Sequence, residues 1–168
     1  HKNRPFHTHP QFINYGIDDY NYALSKGHYF ETEIKREGII LYDSGEYKLE
    51  RRRKLNFDEI TKRAQKYYDD KYITACRFLE TTKFDYSKTW YKLSSFQLHQ
   101  ATENFLRVIP MVFILYGYKS HDLETLMKAC KEYAPDIFKV FPRDTPEEER
   151  LFKLLQRAYV ESRYNPDF

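Results

Sequence analysis

Cysteine is scarce in this chain, with 2 in 168 residues. Cys76 and Cys130 stand far apart, in neither a metal-ligand nor a redox spacing, so they read as two reduced thiols of a cytoplasmic protein. Long apolar runs are also missing. None approaches the roughly 20 residues that cross a bilayer, and no signal peptide is visible, so no membrane role is expected. Charge of one sign is lacking too: 28 Lys and Arg against 25 Asp and Glu leave +3. That excludes a uniformly basic coat for nucleic acid and leaves only local patches. The chain opens on His1 rather than methionine and is expected to be a fragment or to lack its start.

What the chain does have is rings. Aromatics make up 18%, with 16 Tyr and 13 Phe, ample for a core and for stacking on ring ligands. The length suits one ordinary domain plus an appendage. The organising stretch runs from Phe96 to Leu123. At about 100° per residue, Leu93, Leu98, Ala101, Phe105, Val108, Val112 and Leu115 fall on one side of a helix, which predicts its core face. His99, Glu103 and Arg107 form a second, polar stripe at i, i+4, i+8. Pro110 predicts a kink near Arg107. Met111–Tyr116 is apolar nearly all round and is expected to be buried on every side or to meet another subunit, with Gly117 as the helix stop. Ser120 is expected to cap the next helix, with His121 and Asp122 in its first turn and its end near Tyr133.

Upstream, His7 and His9 make an H-x-H that one weighs as a metal pair against a loop end, with no second cluster to complete a site. A helix is expected over 20–35, broken at Gly27, and Gly38–Asp43 reads as a buried strand closed by Ser44-Gly45. Glu50–Lys54 is a charged linker, either a solvated hinge or a phosphate contact. Asn56 with Glu59 gives a capping-box signature for a helix to about Thr82, with Ile60, Ala64, Tyr67, Tyr68, Ile73 and Phe78 as its buried positions and 83–87 as a turn. Ile137, Phe138, Val140 and Phe141 plug the end of the bundle. Thr145-Pro146 with Glu148 starts the last helix, which is expected to bury Leu151, Leu154, Leu155 and Ala158. The fold predicted is mainly α: an antiparallel four- to five-helix bundle over 57–168, a linker at 49–56, and a small α/β appendage over 1–48.

The stretch FQLHQATENFLRVIPMVFILYGYKSHDLETL, together with RDTPEEERLFKLLQRAYVESRY near the end, resembles HEPN domains, helical nucleotide-binding modules. YALSKGHYFETEIKREGIILYDSGEYKL resembles the closing segment of polymerase-β-type nucleotidyltransferase domains, which HEPN domains often follow in one chain. The Gly-Ser turn and Asp-x-Asp pair of such domains are absent from these residues, so 1–48 is expected to be a remnant of a catalytic domain lying upstream, with magnesium expected only there and no cofactor in this chain. The resemblance implies a homodimer and a ligand that is a nucleotide or RNA. Candidate nucleotide-binding residues are His99, Glu103, Arg107, His121, Arg157, Arg163 and Tyr164: arginine forks a phosphate and tyrosine stacks a base. Against this stands a plainer reading, in which Glu103–Arg107 is an i,i+4 pair and His121–Asp122 only a cap. Ribonucleases of the family carry Arg-x4-6-His in the last helices. Arg157 fits the arginine, but no histidine follows it at that spacing, which speaks against cleavage unless a histidine lies beyond Phe168 or His99 and His121 substitute. Three functions therefore compete: a binding module, a metal-independent ribonuclease or toxin, and a purely structural dimerisation bundle.

Overall fold

The computed structural model describes residues 12–168, so the His7–His9 pair lies outside the described residues. Between Leu55 and Asn56 the chain divides into two compact units. Among the described residues every regular element is a helix, which bears out the mainly α expectation.

The first unit holds α1 (Ile17–Ser25) and α2 (Tyr29–Glu37). The break between them falls at the expected glycine. Gly27 sits at φ +63°, and a Cβ there would lie 2.9 Å from the Arg53 carbonyl oxygen, so both conformation and space demand glycine. Residues 48–50 fold back onto the helices: Asn21 donates to the Lys48 carbonyl and accepts from the Glu50 amide. The strand expected at Gly38–Asp43 is not there. Ile39, Ile40, Leu41 and Tyr42 are 70–94% exposed, in irregular backbone. A strand needs a neighbour for its backbone groups, and the described residues supply none.

The second unit opens with α3 (Phe57–Ser87), whose Asn56–Glu59 capping box forms as expected. The helix continues through 83–87, where a turn was expected, because nothing in Lys83–Ser87 breaks it before Lys88 and Thr89. Its buried positions are Ala75, Thr82 and Asp85, while Ile60, Tyr68 and Ile73 are exposed. Next comes α4 (Tyr91–Ile114), antiparallel to α3: Ser94 bonds the Thr82 carbonyl at 3.0 Å, and Phe105 meets the ring of Tyr72. Then follow α5 (Leu123–Cys130), the single turn α6 (Ile137–Val140) and α7 (Pro146–Tyr164). The Thr145 capping box with Pro146 inside it forms as expected. Lys92 bonds the Asn165 carbonyl and His99 that of Leu155, so α7 also runs antiparallel to α4.

This makes α4 a central helix with two buried sides. Ser94 and Phe105 face α3; His99, Glu103, Leu106 and Pro110 lie roughly opposite at about 100° per residue, toward α5 and α7. The expectation of one core face and one open polar stripe is therefore corrected. His99 and Glu103 are buried, and Leu93 and Leu98 are exposed. The core on the α5–α7 side gathers Leu106, Leu123, Leu126, Met127, Cys130 and Phe152. On α7 it is Phe152 and Ala158 that are buried, while Leu151 and Leu154 face outward. The end of α4 is also less enclosed than expected, with Phe113 exposed. Its stop is Leu115, at φ 56°, two residues before Gly117. Gly117 serves a close approach instead, since a Cβ there would lie 3.3 Å from Met111 Sδ. Asp122, not Ser120, caps α5 by accepting from the Thr125 amide, and α5 ends at Cys130 rather than near Tyr133.

The helix runs through Pro110 to Ile114. Proline has no N–H, so the Leu106 carbonyl four residues back loses its helical donor. Cys130 Sγ lies 3.1 Å from that carbonyl oxygen and donates its S–H to it. Burial pushes the thiol pKa up to about 11, which keeps the donor proton in place. Leu123, Leu126, Met127 and Cys130 recur at i, i+3, i+4, i+7, so the packing period of α5 delivers the thiol to that point. Pro110→Ala restores a backbone donor, so Cys130→Ala is expected to cost about 1 kcal/mol less in that background than in the wild type. Urea unfolding of the four proteins of this cycle measures it, and strict additivity would show the contact to be mere packing.

Candidate functional site

Glu103 is the centre of the polar cluster. Its side chain is 2% exposed, and every neighbour comes from a different turn or element. One carboxylate oxygen, Oε1, accepts from Arg107 at 2.9 Å. The other, Oε2, lies 2.8 Å from His121 Nδ1 and 3.5 Å from His99 Nε2. Arg107 also donates to the Ser120 carbonyl at 2.7 Å, which anchors the loop that carries His121. His99 uses its other nitrogen, Nδ1, on the Leu155 carbonyl of α7 at 3.0 Å. The i,i+4 spacing of Glu103 and Arg107 was visible in the sequence; the 18-residue return of His121 was not.

Burial alone would raise the Glu103 pKa. The close approach of the His99 ring, the hydrogen bond from His121 and the positive charge of Arg107 outweigh that, and the carboxyl is held below its ordinary range. A buried ionised acid thus takes hydrogen bonds from Arg107 and His121, while His99 Nε2, 3.5 Å away, is buried without a hydrogen-bond partner.

Outside this cluster the rings begin. His121 stacks on Tyr159 at 4.1 Å between centroids and 15° between planes, with the Tyr159 hydroxyl 3.0 Å from Nε2. Tyr159 also meets His99 and Phe96. Arg163, one turn further along α7, lays its guanidinium 4.4 Å from the Tyr159 centroid and 5.3 Å from those of Phe96 and Tyr164. Its Nε donates to the Tyr159 carbonyl, and the guanidinium has no ion-pair partner among the described residues. Tyr159 and Phe96 were not among the candidates. The one local signal was the i,i+4 spacing of Tyr159 and Arg163, which is the spacing of a stacked cation–ring pair on a helix.

Of the seven candidates, His99, Glu103, Arg107 and His121 come together directly, and Arg163 joins them through Tyr159. Tyr164 stands at the rim, exposed beside Arg163. Arg157 is held elsewhere, in a two-pronged pair with Glu161 at 2.6 Å for each contact. Among the described residues no group of His, Cys, Asp and Glu could hold a metal ion, and no helix is long and apolar enough to cross a membrane.

A helical bundle with this cluster between its central and last helices fits one class of module. The family model of the HEPN domain matches residues 68–168, and the chain belongs to that family. HEPN domains are helical modules of the nucleotide-binding and ribonuclease type. No curated protein matches the chain.

Glu103→Ala leaves Arg107 and two imidazoles facing a void and is expected to cost about 3–5 kcal/mol at neutral pH. The folded carboxyl titrates below its unfolded value of about 4.3, so its contribution is complete above that pH and fades as pH falls through the folded pKa. The stability gap between wild type and Glu103→Ala should therefore narrow below about pH 4. Denaturant melts from pH 7 to 3 check this, and a pH-independent gap would reduce Glu103 to a packing role.

Proposed function

We propose that this chain is a nucleotide- or RNA-binding HEPN module that pairs with a second copy and accompanies a nucleotidyltransferase domain. The observation that carries the reading is Arg163. Its guanidinium carbon lies 4.4–5.3 Å from the ring centroids of Tyr159, Phe96 and Tyr164, no carboxylate among the described residues pairs with it, and His121 stacks on the same tyrosine. A fixed cation beside several rings suits a phosphate with a base stacked next to it. His99, Glu103 and Arg107 then form the buried wall that holds His121 in place, while His121, Arg163 and Tyr164 meet the ligand. Arg157 joins them only by leaving Glu161.

Pairing draws its support from an apolar groove of about 350 Å³, lined by Leu98, Val140, Phe141, Leu151, Leu154 and Leu155. Several of these side chains are among the exposed large apolar residues, a surface that monomers rarely leave open. The nucleotidyltransferase association rests on the resemblance of residues 22–49 to the end of such a domain, which would also be where magnesium acts.

Binding of a labelled single-stranded RNA and of a nucleotide panel to the 168-residue chain tests the reading, with light scattering on the same samples. Arg163→Ala is expected to weaken binding about 10- to 150-fold, the range for a lost charge-assisted contact. Affinity should also fall as salt rises, because phosphate contacts release counterions. A dimer mass at micromolar concentration is expected. A dimer with no affinity for either ligand would favour a purely structural bundle, and a monomer would remove the pairing.

A further inference from the structure

The turn that joins α3 to α4 ends their hairpin in exposed rings. Phe84, Tyr86, Trp90 and Tyr91 are 53–66% exposed. They pair across the turn edge to face, Phe84 with Trp90 at 6.2 Å and Tyr86 with Tyr91 at 5.5 Å between centroids. Thr82 and Asp85 are buried and mark the side of α3 that faces α4, where the Thr82 carbonyl takes its bond from Ser94. At about 100° per residue, Phe84 and Tyr86 leave Asp85 on opposite flanks. Apolar ring surface therefore wraps the end of the hairpin on two sides. A convex tip of this kind suits a medium that closes around it better than a flat protein face. Its charge is one-sided as well. Lys83 and Lys88 are exposed, whereas Asp85, the one acid in the span 83–92, is buried. Lys92 is held by the carbonyls of Asn165 and Pro166.

We propose that the α3–α4 turn is a peripheral membrane contact, which sets Trp90 and its neighbouring rings into the headgroup layer of an anionic lipid surface. Tryptophan and tyrosine settle at that depth because each joins an apolar ring to a polar atom. Lys83 and Lys88 supply the attraction to acidic headgroups. The Lys88 ammonium lies 5.6 Å from the Phe84 ring centroid, folded back from the turn along α3. A lysine at an interface places its charge in this way, with the stem in apolar surroundings and the ammonium at headgroup level. Stacking of nucleic-acid bases is the competing use of exposed rings, and it needs open ring faces. Here one face in each edge-to-face pair meets the partner ring, and Lys88 lies over Phe84. The proposal departs from the sequence expectation of no membrane role, which rested on the lack of a span; a contact that lies on the bilayer needs none. It is independent of the nucleotide- and RNA-binding reading.

Trp90 is the only tryptophan of the chain, so its fluorescence reports on the tip alone. The test mixes the 168-residue chain with vesicles of phosphatidylcholine alone and of phosphatidylcholine with phosphatidylserine, and measures co-sedimentation and emission. With the anionic vesicles the chain is expected to sediment and the Trp90 emission to shift to the blue, both effects weakening as salt rises. Neutral vesicles should bind it more weakly. Trp90→Ala is expected to lower vesicle affinity about tenfold. Lys83→Glu together with Lys88→Glu should lower it by about 25-fold or more. Thermal melts check that the variants stay folded. Failure to bind anionic vesicles overturns the proposal, as does binding without a blue shift. Binding that both variants leave unchanged would place the contact elsewhere, for instance at the exposed run Ile39–Tyr42, and also overturns it. A Trp90 shift on adding single-stranded RNA, with none on adding vesicles, assigns the rings to nucleic acid instead and overturns the lipid contact.

Discussion

A single buried negative charge sets the terms for the second unit of this protein. An ionised carboxylate away from water is tolerated only when donors face it; Glu103 has Arg107 and His121, with the His99 ring 3.5 Å away. Each of these three neighbours carries a structural consequence. Arg107 reaches on to the Ser120 carbonyl, His121 brings in the entry to α5, and His99 extends to the Leu155 carbonyl of α7. Three helices are thereby registered against one another by directional contacts, in addition to the apolar core beside them. The same contacts fix the face that His121 turns outward.

The second constraint is that α4 is enclosed from two sides. A helix in that position cannot follow a single apolar stripe, and its buried residues run from Ser94 and Ala101 to His99, Glu103 and Pro110. Polar atoms taken inside must find partners. Ser94 does so on the Thr82 carbonyl, Thr102 on that of Leu98, and the Leu106 carbonyl freed by Pro110 does so on the Cys130 thiol. Cys130 is thus explained as a hydrogen-bond donor held protonated by burial, with no redox partner required.

Local chemistry in the sequence was read well, and long-range placement less so. Both capping boxes, the break at Gly27, the helical class and the composition of the polar stripe follow from spacing within a turn or two. The side on which that stripe would lie did not, because one helix's periodicity cannot say how many neighbours it has. The same gap put Leu151 and Leu154 inside and left out Phe152, which the packing of α7 buries. Arg157 was favoured on its place in a motif, yet Glu161 four residues on is an equally local partner and holds it. Tyr159, which links His121 to Arg163, was passed over because tyrosines are abundant in this chain and their packing and stacking roles look alike in sequence. The strand expected at Ile39–Leu41 shows the converse, since an apolar run specifies a strand only when an edge is available to pair with it.

In this account the site is a rigid inner cluster with a cation and rings at its rim, the arrangement through which a HEPN module would grip a phosphate and its base. Everything in it depends on Glu103 being charged and engaged with His121. The most direct measurement is a carbon-13 NMR titration of the glutamate side-chain carboxyls, with Glu103 assigned by its loss in Glu103→Gln. The account predicts that Glu103 titrates below the ordinary carboxylate range. A Glu103 that titrates within or above that range would contradict it, because the carboxyl would then be neither ionised against its burial nor held by Arg107 and His121.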